Sequence, residues 1–145
     1  MPAETFSSIK DAVVQCLSQR PEIAAAYIFG SVAAGSARRD SDVDIAVLLR
    51  RRPPAQGLLK YRLRLIAEIG SALGRYDIEV IILNEAPPVL AHQVLSKGKL
   101  IFERSASERV EFQVRTVNLY CDTEPMRELY RRYLKKRIRE GKIFG

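Results

Sequence analysis

Apolar positions along this chain recur with two periods, and the alternation between them lays out the elements. Over residues 4–19, Phe6, Ile9, Val13 and Leu17 return every three or four positions, the spacing of an amphipathic helix, and Pro21 stops it. Residues 24–29 form an apolar strand. Residues 43–49 form a second, apolar at nearly every position, which predicts cover on both faces. The run Arg50-Arg51-Arg52-Pro53-Pro54 reads as a loop, because proline has no N–H for a ladder. A helix is predicted over 56–73, with Leu59, Leu63, Ile66, Ile69 and Leu73 along one side and Gly74 as its cap. A third strand follows over 78–83. Pro87-Pro88 opens a helix to about residue 96, Gly98 ends it, and 100–103 make a short last strand. Two helices complete the pattern. One spans 107–121 with Val110, Val114, Val117 and Cys121 on one stripe. The other starts from an Asp122-Thr123 cap, has Pro125 in its first turn, and turns Met126, Tyr130, Tyr133, Leu134 and Ile138 inward or toward a partner. The predicted class is α/β (α+β): a small mixed sheet flanked by helices, with residues 1–105 as the main body and 106–145 as a helical C-terminal extension packed on the same domain.

A chain of 145 residues can bury one core. With 47% hydrophobic and 28% charged residues it has an ordinary globular composition. No apolar run approaches the roughly 18–20 residues that span a bilayer, and Met1-Pro2-Ala3-Glu4 shows neither basic nor apolar signal regions, so a cytoplasmic location is expected. Cys16 and Cys121 form no Cys-x-x-Cys pair and read as buried, reduced thiols, and a lone His92 argues against zinc. The net charge of +7 is concentrated at Arg38-Arg39, Arg50-Arg51-Arg52 and from Arg127 to Lys142. That basicity suits a triphosphate or an acidic protein; direct nucleic-acid binding is not expected.

The run from Tyr27 to Leu49 carries the candidate chemistry. A strand ends in Gly30-Ser31, a segment punctuated by Gly35 follows, and Asp42 and Asp44 stand two positions apart at the start of the next strand. Residues two apart in a strand share a face, so the two carboxylates sit side by side at the mouth of a sheet. Anions that close repel unless a cation lies between them, and carboxylate oxygens suit Mg2+. A Gly-Ser turn entering a helix offers free N–H groups and a positive dipole end to phosphate. Gly30 permits close approach, and Ser31 can donate its hydroxyl and N–H to a β- or γ-phosphate. Arg38 and Arg39 lie between cradle and acids, where a forked guanidinium can clamp phosphate, and Ser41 can cap or orient the acid pair. A third carboxylate is expected from the neighbouring strand, where Asp77 and Glu79 share a face. His92 reads as a helix-face residue. Tyr120, Tyr130 and Tyr133 read as packing in the tail, or as interface residues if exposed.

This constellation resembles the polymerase-beta-like nucleotidyltransferases, whose signature is Gly-Ser, a few residues, then Asp-x-Asp on the next strand. Asp77-Ile78-Glu79-Val80-Ile81-Ile82-Leu83-Asn84 and the later Tyr120-Cys121-Asp122-Thr123-Glu124-Pro125 extend the likeness over nearly the whole chain. The closest resemblance is to minimal nucleotidyltransferases of the MntA antitoxin family, which accompany HEPN-domain toxins. The resemblance implies a nucleotidyltransferase fold and Mg2+, with two ions about 3.5–4 Å apart. Asp42, Asp44 and Glu79 would be the ligands, and ATP the substrate. It implies AMP transfer to a tyrosine of a HEPN toxin and admits a hetero-oligomer with it. Two rival readings are a small-molecule nucleotidyltransferase of the aminoglycoside-modifying kind and a non-catalytic module that only masks its partner.

Overall fold

The structure, a computed structural model, describes residues 5–35, 42–51 and 55–141. Helix α1 (Phe6–Ser18) starts at Thr5, whose hydroxyl accepts the Ser8 N–H, and buries Ile9, Val13 and Leu17 as their spacing predicts. Strand β1 (Ile23–Phe29) turns directly into a short helix, α2 (Gly30–Ala34). Strand β2 (Val43–Leu49), helix α3 (Ala55–Leu73) and strand β3 (Ile78–Ile82) follow. A 3-10 turn over Leu83–Glu85 leads to α4 (Pro88–Lys97), β4 (Lys99–Glu103) and α5 (Ala106–Arg139).

The sheet order is β3-β2-β1-β4, with β1 antiparallel to β2 and β4, and β2 parallel to β3. Alternate residues of each strand face opposite layers. Ile28, Val43, Ile45, Val47 and Val80 pack toward α1 and α3; Tyr27, Ala46, Leu48 and Leu83 pack toward α4 and α5. β2 is therefore covered on both faces, in keeping with its unbroken apolar run. Where β3 ends, the Asn84 side chain continues the ladder: its Oδ1 accepts the Leu49 N–H at 2.8 Å and its Nδ2 donates to the Leu49 carbonyl at 2.9 Å.

Four expectations need correction. On α3 the large apolar side chains buried among the described residues are Leu65 and Ile69, while Leu59 and Leu63 are exposed. The predicted stripe was turned outward in its first half. The two terminal helices are one helix of 34 residues, with Pro125 inside it. Proline removes the N–H that the Cys121 carbonyl would use, and one residue earlier the Tyr120 carbonyl accepts both Thr123 Oγ1 at 3.0 Å and Arg127 Nη2 at 2.7 Å. Side chains thus carry the helix through the proline, and Asp122-Thr123 caps nothing. The valine stripe of α5 faces solvent: Val110, Val114 and Val117 are exposed, whereas Phe112 and Thr116 are buried. The connection decides this. Arg104 and Ser105 donate backbone N–H groups to Ala24, Arg50 pairs with Glu108, and Arg109 pairs with Glu103, which together turn Phe112 inward. Finally, Cys16 is only half-buried and Cys121 is exposed; both are free thiols.

Replacing Asn84 with alanine would leave two Leu49 backbone groups unpaired beside the core. We expect a loss of about 1–3 kcal/mol in urea unfolding. An unchanged midpoint would mean that water satisfies this end of the ladder.

Candidate active site

The site forms where β1 gives way to α2. Gly30 opens α2 with φ +73°, and the ladder sets Asp44 of β2 directly opposite Phe29. A Cβ at Gly30 would overlap the Asp44 carboxylate, with Asp44 Cγ only 3.2 Å away. The positive φ adds about 1–2 kcal/mol for any other side chain. The sequence suggests Gly30 for phosphate approach; the structure adds that its missing side chain makes room for the acid. Ser31 is half-buried in the first turn of α2, and Gly35, also at φ +73°, closes that helix by donating to Ser31 and Val32 carbonyls.

On the other flank of β2, the parallel register aligns Asp44 with Glu79. Asp42 is exposed just ahead of β2, and the Val43 N–H bonds the Asp77 carbonyl at 2.9 Å, fixing this end of the strand pair. The structure thus gathers Asp42, Asp44 and Glu79 at one end of the sheet. Burial, then repulsion from Asp42 and Glu79, pushes the Asp44 carboxyl above the usual carboxylate range. Among the described residues no three acid, imidazole or thiol groups close into a ready metal cage. The acids are near enough to repel, and their all-oxygen donor set is the kind a hard divalent cation draws together.

Asp77 sits differently. Arg75 Nε donates to its Oδ1 at 2.8 Å and the guanidinium also reaches Oδ2, which holds its carboxyl below the usual range. An acid so engaged is a poor free ligand, which leaves Glu79 as the third carboxylate the geometry offers. Arg38, Arg39 and Ser41 lie outside the described residues. His92 is on α4, its ring stacked 3.7 Å from that of Tyr120 on α5, as a helix-face residue would be.

Lys99 pairs with Ile28 on the edge strand, and its ammonium lies 4.7 Å from the centre of the Phe6 ring, on the α1 side of the sheet rather than on the face that carries Asp44 and Glu79. A cavity of about 470 Å3 between Arg50, Asn84, Pro88 and the first half of α5 lies at the opposite end of β2 and includes none of the three acids.

Residues 11–107 match the family described as polymerase beta, nucleotidyltransferase, and the chain belongs to that family. It is 32% identical over 108 residues to a protein adenylyltransferase MntA of Shewanella oneidensis, an alignment that covers 74% of this chain and 73% of the relative. It is 27% identical over 122 residues to a protein adenylyltransferase MntA of Aphanizomenon flos-aquae, covering 78% and 79%. Among solved structures, a toxin–antitoxin crystal structure with AMP-PNP aligns with a TM-score of 0.74 at 27% identity, over 87% of this chain and 98% of that one. Family and fold agree with the motif: the chain is a nucleotidyltransferase.

A carboxyl whose pKa is raised by folding stabilises the fold only while protonated, and that contribution is lost as pH rises through its folded value. Asp44→Asn should therefore melt above the wild type at neutral pH without metal, with the difference closing on acidification. Added Mg2+ should raise the wild-type melting temperature and leave the variant's unmoved. Gly30→Ala should lower stability by more than the roughly 1–2 kcal/mol of its backbone strain, because Asp44 must also shift. Equal melting curves for wild type and Gly30→Ala would show that the close approach is not needed.

Proposed function

We propose that this protein transfers AMP from ATP to a tyrosine hydroxyl of a HEPN-family toxin, and so acts as that toxin's antitoxin. The observation that carries the reading is Asp44, set by the ladder between Gly30 and Glu79 with its charge opposed by two further acids and by burial. A module that only masks a partner has no use for such a cluster, which costs stability. Support comes also from the relatives named protein adenylyltransferase and from the toxin–antitoxin neighbour solved with an ATP analogue.

Asp42, Asp44 and Glu79 would hold Mg2+, which when bound neutralises phosphate charge and polarises the reacting oxygens. The chain's own groups orient the substrates. The N–H groups of the Gly30-Ser31 turn would receive the phosphates, and Arg39 and Ser41 are the further phosphate-binding residues that the sequence suggests. The tyrosine oxygen forms a bond to the α-phosphorus, the bond from that phosphorus to the bridging oxygen breaks, and pyrophosphate leaves. The hydroxyl proton passes toward Glu79, which lies beside Asp44 and is exposed to an incoming acceptor. Catalysis here is positioning and charge neutralisation more than covalent chemistry. Among the described residues no helix is long and apolar enough to cross a membrane. With two free thiols as well, we place the protein in the cytoplasm, beside its ATP supply.

Asp44→Asn and Glu79→Gln should each lower the rate of AMP addition by about 10²-fold or more. Asp77→Asn, which breaks only the Arg75 pair, should keep most of it. Intact-mass measurement of the toxin after incubation with ATP and Mg2+ reads all three. A dead Asp77→Asn with an active Glu79→Gln would move the third ligand to Asp77, and full activity in Asp44→Asn would end the proposal.

A further inference from the structure

Helix α5 is two structures in one. In its first half Phe112 and Thr116 are buried against the sheet, and beyond Thr116 no described residue of the helix is buried. The inward face nevertheless continues. Phe112, Thr116, Leu119, Thr123, Met126, Tyr130 and Tyr133 follow one another at alternating steps of four and three, the repeat of a helix that packs along another helix. Met126 and Tyr130 stand 71% and 61% exposed, so beyond α4 no described residue of this chain covers the seam. It begins at a groove of about 640 Å3 where Pro88 and Val89 of α4 face Tyr120, Met126 and Tyr130. The start of the seam is braced: Tyr120 is held between the His92 ring at 3.7 Å and the Arg127 guanidinium at 3.6 Å.

Basic side chains border the seam as well as backing it. At 100° per residue, Arg127 lies on one flank of Met126, Tyr130 and Tyr133, and Lys136 with Arg132 behind it on the other; Arg137 follows Tyr133 in the repeat, and Arg131, Lys135 and Arg139 fall on the far side. Between residues 127 and 139 there are seven basic side chains and one acid, Glu128, to which Arg131 and Arg132 reach. A second copy of this chain would bring like charge against like. An RNA would use the arginines and leave the aromatic seam bare. An amphipathic helix with acidic margins covers the seam and meets the bordering Arg127 and Lys136.

Resting on the transfer reading above, we infer that the second half of α5 is a tether for the acceptor protein, gripping an apolar helix of it that has acidic flanks. Its place in the fold separates holding from chemistry. The groove adjoins Pro88, beyond the Leu49 end of β2, while Asp44 is at the other end, about 17 Å away along the strand. The tether raises the local concentration of acceptor tyrosine at the acids without touching the reacting atoms.

The test uses the full chain with Arg132→Glu and Lys136→Glu together, and separately Tyr130→Ala with Tyr133→Ala. All four side chains are exposed, and unchanged circular dichroism confirms the fold. Both variants should raise KM for the acceptor roughly ten-fold or more while kcat and ATP affinity stay within about two-fold. Salt should raise the wild-type KM and leave the charge-reversed variant's nearly flat. Acceptor KM unchanged in both variants would overturn the tether, as would a chain that sediments alone as a dimer dissociated by the tyrosine pair. If the wild type transfers no AMP, the transfer reading fails by itself. Calorimetric titration of the acceptor into Asp44→Asn, with and without the charge reversals, then still decides the tether: equal affinity refutes it and weakened affinity supports it.

Discussion

The alignment of three strands at a single level, Phe29 beside Asp44 beside Glu79, governs everything this protein can do. Antiparallel pairing with β1 delivers Asp44 to the one position in the turn that lacks a side chain, Gly30, and parallel pairing with β3 delivers Glu79 to its other flank. Slipping either pair by one residue would turn Asp44 toward α1 and α3, where Val43 and Ile45 now pack, and would expose those apolar side chains instead. The register is therefore enforced by the core and not by the acids. Burying Ile28, Val43, Ile45, Val47 and Val80 on one face and Tyr27, Ala46 and Leu48 on the other obliges the carboxylates to meet at the mouth.

That arrangement places stress and support at opposite ends of the molecule. At the acid end, repulsion and burial work against Asp44. At the far end, Arg20 bridges Glu68 and Glu22, the Tyr61 hydroxyl donates to the same Glu22, and Arg104 donates to the Ser18 and Ile23 carbonyls. These bonds join α1, α3 and the ends of β1 and β4 where no chemistry is asked of them. A fold so anchored can tolerate a mouth that is poorly balanced until cation and phosphate arrive, which is the usual compromise between stability and activity.

The long helix extends the same division of labour. Its first half belongs to the core through Phe112, and its second half, past Pro125, carries a continued apolar seam into solvent with basic residues behind it. Thr123 and Arg127, by bonding the Tyr120 carbonyl, keep the two halves one rod, so that the projecting part leaves the body in a defined direction. A projecting helix at one end of the sheet and a charged mouth at the other are separate surfaces, the arrangement that the proposed transfer with its proposed tether would use.

The local pattern determined a great deal. Gly30-Ser31 followed by Asp42 and Asp44 announced nucleotide chemistry because those residue types at that spacing have few other uses. The spans of α1, β2, β3 and α4 followed from periodicity and proline, which act within a few residues. What the pattern left open were questions about which of two equivalent choices the rest of the chain would make. The local pattern leaves Asp77 and Glu79 equal and only the family resemblance points to Glu79; the Arg75 fork that occupies Asp77 and the ladder that sets Glu79 beside Asp44 favour the same choice. The valines of α5 are as regularly spaced as Phe112 and Thr116. The hydrogen bonds from Arg104 and Ser105 to Ala24 across the sheet decide which set turns inward, and no local rule contains that contact. Pro125 reads as a helix start because proline suits a first turn, yet side chains from the next turns stabilise it mid-helix. Periodicity and spacing are fixed by the backbone's own geometry, whereas facing, pairing and continuity depend on partners distant in the chain, and only the folded structure brings those together.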